Sequence, residues 1–140
     1  EGPPAYISEA LDVLQVERID HGVRCMEDPV LVARLRSDRI PLTVCPFSNV
    51  KLRVVDDLHA HPLGRMLAEG LLVTCNSDDP AYFGGYVADN LREVCSALAL
   101  PPQAAATLAR NSFEAAFISS KQKAAYSALL EASLSAVEQH

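Results

Sequence analysis

Apolar positions along the chain alternate between two spacings. From Pro4 to Leu14, the residues Ile7, Ala10, Leu11 and Leu14 recur at helical intervals behind a proline, which predicts an amphipathic helix. Glu17-Arg18-Ile19-Asp20-His21-Gly22 is short and closes on glycine, as a strand entering a tight turn does. Asp28-Pro29 supplies a cap and a first-turn proline, and Leu31, Val32 and Leu35 carry that helix to about Ser37. Ile40-Pro41-Leu42-Thr43-Val44-Cys45 predicts a second strand, ending at Pro46-Phe47-Ser48-Asn49. Val50 to His59 is mixed and charged, and is expected to be loop with at most one helical turn.

Pro62 opens a third helix, with Leu63, Met66 and Leu67 inside and Gly70 at its end. Leu71-Leu72-Val73-Thr74-Cys75-Asn76 follows as a continuous apolar run, the pattern of a buried parallel strand, and it stops at Ser77-Asp78-Asp79-Pro80. After the turn Phe83-Gly84-Gly85-Tyr86 comes a helix over Val87 to Leu98. Pro101-Pro102 punctuates the chain, and Gln103 to Phe117 and Ser119 to Val137 are alanine-rich helical segments. Asn111-Ser112-Phe113 is a candidate break in the first of these.

Helix and strand alternate three times before a helical tail, the order of βαβ units. Three strands do not close a barrel, and a (β/α)₈ barrel takes about 250 residues. The expected fold is therefore α/β: the carboxyl-terminal half of such a barrel, with three parallel strands. The chain forms one unit over 1–140, the barrel half over 1–100 and the terminal helices over 101–140.

Composition adds little to this picture, but it excludes some functions. The 140 residues are 49% hydrophobic and 21% charged, ordinary for a globular protein with a core. A net charge of −6 argues against a nucleic-acid or anionic-membrane partner, and no apolar run is long enough to span a bilayer. The opening Glu1-Gly2-Pro3-Pro4, without methionine, reads as a cut inside a larger protein. Cys25, Cys45, Cys75 and Cys95 are widely spaced, without a C-x-x-C pair, and are read as reduced core thiols of a cytoplasmic protein.

The chemistry is expected at the carboxyl ends of the strands, where barrel enzymes place their sites. Three polar clusters fall there: Asp20-His21-Gly22, Cys45-Pro46-Phe47-Ser48-Asn49 and Asn76-Ser77-Asp78-Asp79-Pro80. Adjacent carboxylates repel unless a cation or strong donors stand nearby, so Asp78 and Asp79 call for a metal, a basic ligand or both. The plainer alternative is that one of them caps a turn. A histidine and an aspartate meeting at one mouth suit a metal-activated water. His59-Ala60-His61 has metal-pair spacing but sits in a charged loop, where His61 is expected to pack or cap the following helix. Arg18, Arg24, Lys51 and Arg53 are read as a solvated rim. The H-x-E and P-C-x-x-C elements of cytidine-type deaminases are missing from this sequence.

The three clusters, in this order and spacing, resemble the adenosine/adenine deaminase family of metal-dependent amidohydrolases over Glu1 to about Phe117. The continuations Ser48-Asn49-Val50-Lys51-Leu52-Arg53 and Asp79-Pro80-Ala81-Tyr82-Phe83-Gly84-Gly85 are similar to the adenine deaminase branch. The resemblance implies a (β/α)₈ barrel, one zinc ion per site and a purine substrate that loses ammonia. His21 matches the histidine that orients the water activated by zinc, Asp78 the carboxylate ligand of zinc, and Asp79 the residue that hydrogen-bonds the purine at N7. The family's remaining zinc histidines, and its proton-donating glutamate, belong to an amino-terminal half that must complete the site. By spacing, Glu1 falls one residue after that glutamate and is not given its role. The chain alone is then expected to be inactive. Two other readings stay open: a deaminase of adenosine or a modified adenine, and a non-catalytic relative that only binds.

Overall fold

The computed structural model describes residues 1–138 and builds the expected alternation. Helix α1 (Pro4–Glu9) starts on proline and widens into a π-type turn over Ala10–Leu14, so the predicted helix keeps its extent but loosens at its end. Strand β1 (Ile19–Asp20) leads through a 3₁₀ turn (Val23–Glu27) into α2 (Pro29–Ser37). The Asp28 carboxylate accepts the amides of Val30 and Leu31 at 2.9 and 3.2 Å, which fixes the start of α2 where the sequence put it. Next come β2 (Leu42–Val44), α3 (Pro46–Lys51), α4 (Leu63–Ala68) and β3 (Val73–Cys75). The chain ends with α5 (Pro80–Phe83), α6 (Val87–Ala97), α7 (Pro102–Ala115) and α8 (Ser120–Glu138). The last two residues of the expected tail lie outside the described residues.

The strands form one parallel sheet in the order β1-β2-β3, with Ile19 opposite Leu42 and Leu42 opposite Val73. All three residues of β3 are buried, as the unbroken apolar run requires of a strand covered on both faces. Leu35, Leu42, Leu63, Met66, Val73, Val94 and Leu108 pack into one core between the sheet and its helices. Full burial of each such side chain stabilises the fold by roughly 1.5–3 kcal/mol.

Two expectations are corrected. Asn111-Ser112-Phe113 does not interrupt α7, because each residue has a partner that suits an unbroken helix. Asn111 Nδ2 donates to the carbonyl of Val73 on the outer edge of β3 (2.8 Å), Ser112 Oγ bonds back to Leu108 O (3.0 Å), and Phe113 stacks on Tyr126. The Pro46-Phe47-Ser48-Asn49 cluster, where the second strand was expected to end, forms the first turn of α3. Proline sets its first turn, and Asn90 from α6 accepts the Phe47 amide at 3.0 Å, supplying from a distance a cap invisible in the local sequence. At the opposite end of the sheet, Arg18 donates to Ala115 O (3.3 Å) and lies 4.1 Å over the Phe117 ring. This contact ties the end of α7 to the start of β1, so Arg18 is a structural latch rather than a free rim charge. Among the described residues, no helix is long and apolar enough to cross a membrane.

Candidate active site at the strand ends

Each outer strand is extended by one further bond to β2. The His21 amide donates to Thr43 O (3.0 Å), and the Asn76 amide donates to Val44 O (2.8 Å). The backbone then turns sharply. His21 and Asp78 both adopt left-handed conformations, with φ of 60° and 57°, in a region that non-glycine residues enter at a cost of about 1–3 kcal/mol. Gly22 follows at φ 78°, and a Cβ there would stand 2.9 Å from Leu42 Cδ2, so only glycine fits that turn.

These turns bring the two side chains together. His21 Nε2 lies 3.7 Å from Asp78 Oδ2, and both side chains are partly exposed at the mouth. Cys45 completes a cluster: one ligand atom each of His21, Cys45 and Asp78 fall within 4.8 Å of one another. Carboxylate and imidazole are donor types zinc takes, so the Asp78 and His21 side of the cluster fits one edge of a divalent-cation site, and a catalytic zinc site takes three protein ligands beside its open position. The Cys45 thiol is pushed up to about 12, by burial first and then by the nearby Asp78, Asp20 and Glu1 carboxylates, and its Sγ donates to Thr43 O (3.4 Å). Its reading as a buried thiol holds, but its place beside His21 and Asp78 escaped the sequence. The available signal was its position as the first residue of the second strand-end cluster.

Asp79 turns a different way. Its Oδ1 accepts the Tyr82 amide (3.1 Å) and caps α5, the plainer role that the sequence left open, and its other oxygen is not used by that cap. The two carboxylates thus divide: Asp78 faces His21, while Asp79 begins the next helix. Gly85 lies against Phe47, 2.5 Å from where its Cβ would be, which packs the turn after α5 onto α3.

Behind His21 is a feature the sequence did not reveal. The Glu1 carboxylate, largely buried, lies 3.7 Å from His21 Nδ1 and accepts a hydrogen bond from Asn49 Nδ2. Burial raises its pKa, against the opposing pull of His21, the Val23 amide and Asn49. A cavity of about 270 Å³ opens beside it, lined by Glu1, Tyr6, Ile7, Ile19 and His21 among others. Among the described residues, His21 Nδ1 here and Ser48 Oγ in α3 are polar side-chain atoms buried without a hydrogen-bond partner. Buried polar groups are rarely left so, and the orphaned His21 Nδ1 marks this side of the site as one shaped for a further partner.

The His-x-His pair stays out of the site. His61 is buried; its Nδ1 accepts the Leu63 amide at the start of α4 (3.1 Å), and its Nε2 lies 3.1 Å from Asn49 Oδ1. His59 Nδ1 is 2.9 Å from Ala97 O. Arg24 pairs with Glu27 on the surface.

Comparison with known proteins places the chain in a family. A family profile for adenosine deaminase matches residues 1–132. The chain is 60% identical over 126 residues to an adenine deaminase of Albidiferax ferrireducens, covering 90% of the chain and 36% of that protein. It is 59% identical over 134 residues to an adenine deaminase of Streptomyces coelicolor, covering 94% and 39%. Among solved structures, adenine deaminase from Arthrobacter aurescens superposes with a TM-score of 0.94 at 55% identity, over 96% of the chain and 41% of that protein. An amidohydrolase from Burkholderia ambifaria, with bound zinc, superposes at 0.88 and 25% identity, over 98% and 38%. The chain thus spans well under half the length of these relatives.

Proposed function

The chain belongs to the adenosine deaminase family, and on that premise we propose that it is the carboxyl-terminal part of a zinc-dependent purine aminohydrolase that converts adenine to hypoxanthine and ammonia. The observation that carries this reading is the convergence of His21 and Asp78 at 3.7 Å over the end of β2, in a segment 55–60% identical to adenine deaminases. The remaining zinc ligands and the closing strands of the barrel come from the amino-terminal part of the protein.

In this reading Asp78 holds one zinc ion per site through its carboxylate. When bound, zinc supplies a Lewis acid that makes a water acidic enough to act near neutral pH. His21 Nε2, on the Asp78 side, orients that water and takes its proton. Asp79 presents the oxygen not used in capping α5 to the purine ring near N7. C6 of the ring gains oxygen, and its amino group leaves as ammonia. Gly85 and Phe47 keep the turn after α5 close, so that the Asp79 end of the site stays ordered. A soluble cytoplasmic enzyme acting on a small purine completes the proposal.

The test is ammonia release and the adenine-to-hypoxanthine absorbance change with the complete protein, with adenosine and N6-substituted adenines in parallel. A pocket fitted to the free base discriminates strongly against the bulk of ribose. Comparable kcat/KM for adenosine would overturn the substrate assignment. Absence of both turnover and bound metal in the complete protein would overturn the enzyme reading.

A further inference from the structure

Strand β3 bonds differently along its two edges. Successive residues of a strand turn their N–H and C=O to opposite sides. On the inner side the Leu42 amide donates to Leu72 O (2.9 Å) and the Asn76 amide to Val44 O (2.8 Å), a register that turns Thr74 toward β2. Val73 and Cys75 therefore turn their backbone groups outward. At Val73 both are engaged: the N–H donates to Leu71 O (3.0 Å), and the carbonyl accepts Asn111 Nδ2 from α7 (2.8 Å). One step nearer the mouth, the N–H and C=O of Cys75 take no part in the ladder to β2 and have no other partner among the described residues. Cys75 is nevertheless only 4% exposed, so water does not serve them freely. Buried backbone groups are almost always paired, and this rung lacks its pair. A purely structural role, tying α7 to the sheet, accounts for the bond at Val73. It does not account for the open, buried rung beside it.

We propose that the outer edge of β3 is a docking edge of a single rung: a parallel strand from the amino-terminal part of the protein bonds Cys75 N–H and C=O, while Asn111 and Leu71 close the Val73 rung against it. Asn111 thereby sets the register of the incoming strand. The proposal rests on the reading of this chain as part of a barrel, and it adds where the closing strand can bond. β1, β2 and β3 all run parallel, and a parallel sheet covered by helices is extended by a further parallel strand. The chain spans well under half the length of its relatives, so chain for such a strand is at hand. Register matters at this edge because it ends beside Asp78. A slip by two residues keeps the same face inward but moves every side chain of the strand by about 7 Å, out of reach of a ligand shared with Asp78.

The test is NMR of the complete protein, reading amide exchange and cross-strand Overhauser contacts at Val73 and Cys75, with the Leu42 amide as the inner-edge reference. The Cys75 amide is expected to exchange within about ten-fold of Leu42 and to show contacts to a residue outside this chain, whereas the Val73 amide shows none. Free exchange at Cys75, or cross-strand contacts at Val73, overturns the single rung. Protection of Cys75 that grows with protein concentration assigns the edge to a second copy and overturns it too. Asn111→Ala and Asn111→Asp both remove the donor. Each is expected to speed Cys75 exchange about ten-fold or more relative to Leu42, and to lower zinc content and kcat together. Ser112→Ala, the next residue of α7, leaves the Cys75-to-Leu42 ratio unchanged. A mere packing role for Asn111 would lower the unfolding midpoint but leave that ratio and the zinc content at the parent values, which would overturn the register role. If the Asn111 variants fail to fold, the parent spectra alone decide the rung. A protected Cys75 in a complete protein without deaminase activity would end the functional reading and leave the docking edge standing.

Discussion

His21 Nε2 and Asp78 Oδ2 stand 3.7 Å apart, although their strands are not neighbours in the sheet. With β2 between them, β1 and β3 are separated by roughly twice the 4.8 Å strand spacing. The distance closes because both residues leave their strands through left-handed backbone, which swings the side chains inward over Cys45. Gln15, Arg39, Arg53 and Ala99 also take positive φ, so it is the meeting of the two side chains, and not the strain by itself, that sets this pair apart.

Relieving that strain separates stability from function. Asp78→Gly in metal-free protein is expected to be neutral or to raise unfolding stability by up to about 1 kcal/mol, since glycine enters φ 57° freely. Asp78→Ala is expected to lower it. Both remove turnover and bound zinc. Urea unfolding of the stripped proteins, with metal analysis of the loaded ones, checks this; equal stability losses in the two variants would contradict the strain argument.

Asp79 lets the cap be told apart from the substrate contact. Asp79→Asn keeps an oxygen for the Tyr82 amide and leaves stability near the parent value, whereas Asp79→Ala costs about 0.5–1 kcal/mol. Both lower kcat/KM for adenine. If Asp79→Asn keeps full kcat/KM, capping is the whole role of this residue.

Acid is expected to unfold the protein partly through His61. Burial lowers its pKa to about 4 from an ordinary value near 6.5, so below that value the unfolded chain binds a proton that the folded ring refuses. Stability therefore falls as pH drops from about 6.5 to about 4 and levels off below, by on the order of 3 kcal/mol from this one group. Urea midpoints across that window, compared with His61→Gln, measure it. The variant loses stability at neutral pH and shows a flatter profile, and an equally steep profile would assign the acid sensitivity elsewhere.

The Asp28 cap gives a stability control far from the chemistry. Asp28→Ala removes the acceptor of the Val30 and Leu31 amides and is expected to cost about 1 kcal/mol, with kcat and KM unchanged. A change in kcat would mean that α2 communicates with the mouth.

The sequence carried the fold well where local signals and tertiary structure agreed. Asp28-Pro29 announces α2 because cap and proline lie side by side, and the run ending at Asp78 announces β3 because burial on both faces needs no alternation. His21 and Asp78 could be nominated together because strand ends share one face. Pro46–Lys51 escaped because its amide cap, Asn90, comes from another helix. Glu1 escaped because its meaning lies in contacts with His21 and Asn49, which no spacing encodes. The left-handed turns escaped as well: a histidine and an aspartate carry no mark of φ as glycine does.

The Arg18 contact with Ala115 and Phe117 fastens the floor of the sheet, while the opposite rim carries His21, Asp78 and Asp79 on short turns. Tolerance to change is thereby split along the strand axis. A selection for heat resistance and a selection for altered substrate range should enrich different residues, and progress in one need not erode the other.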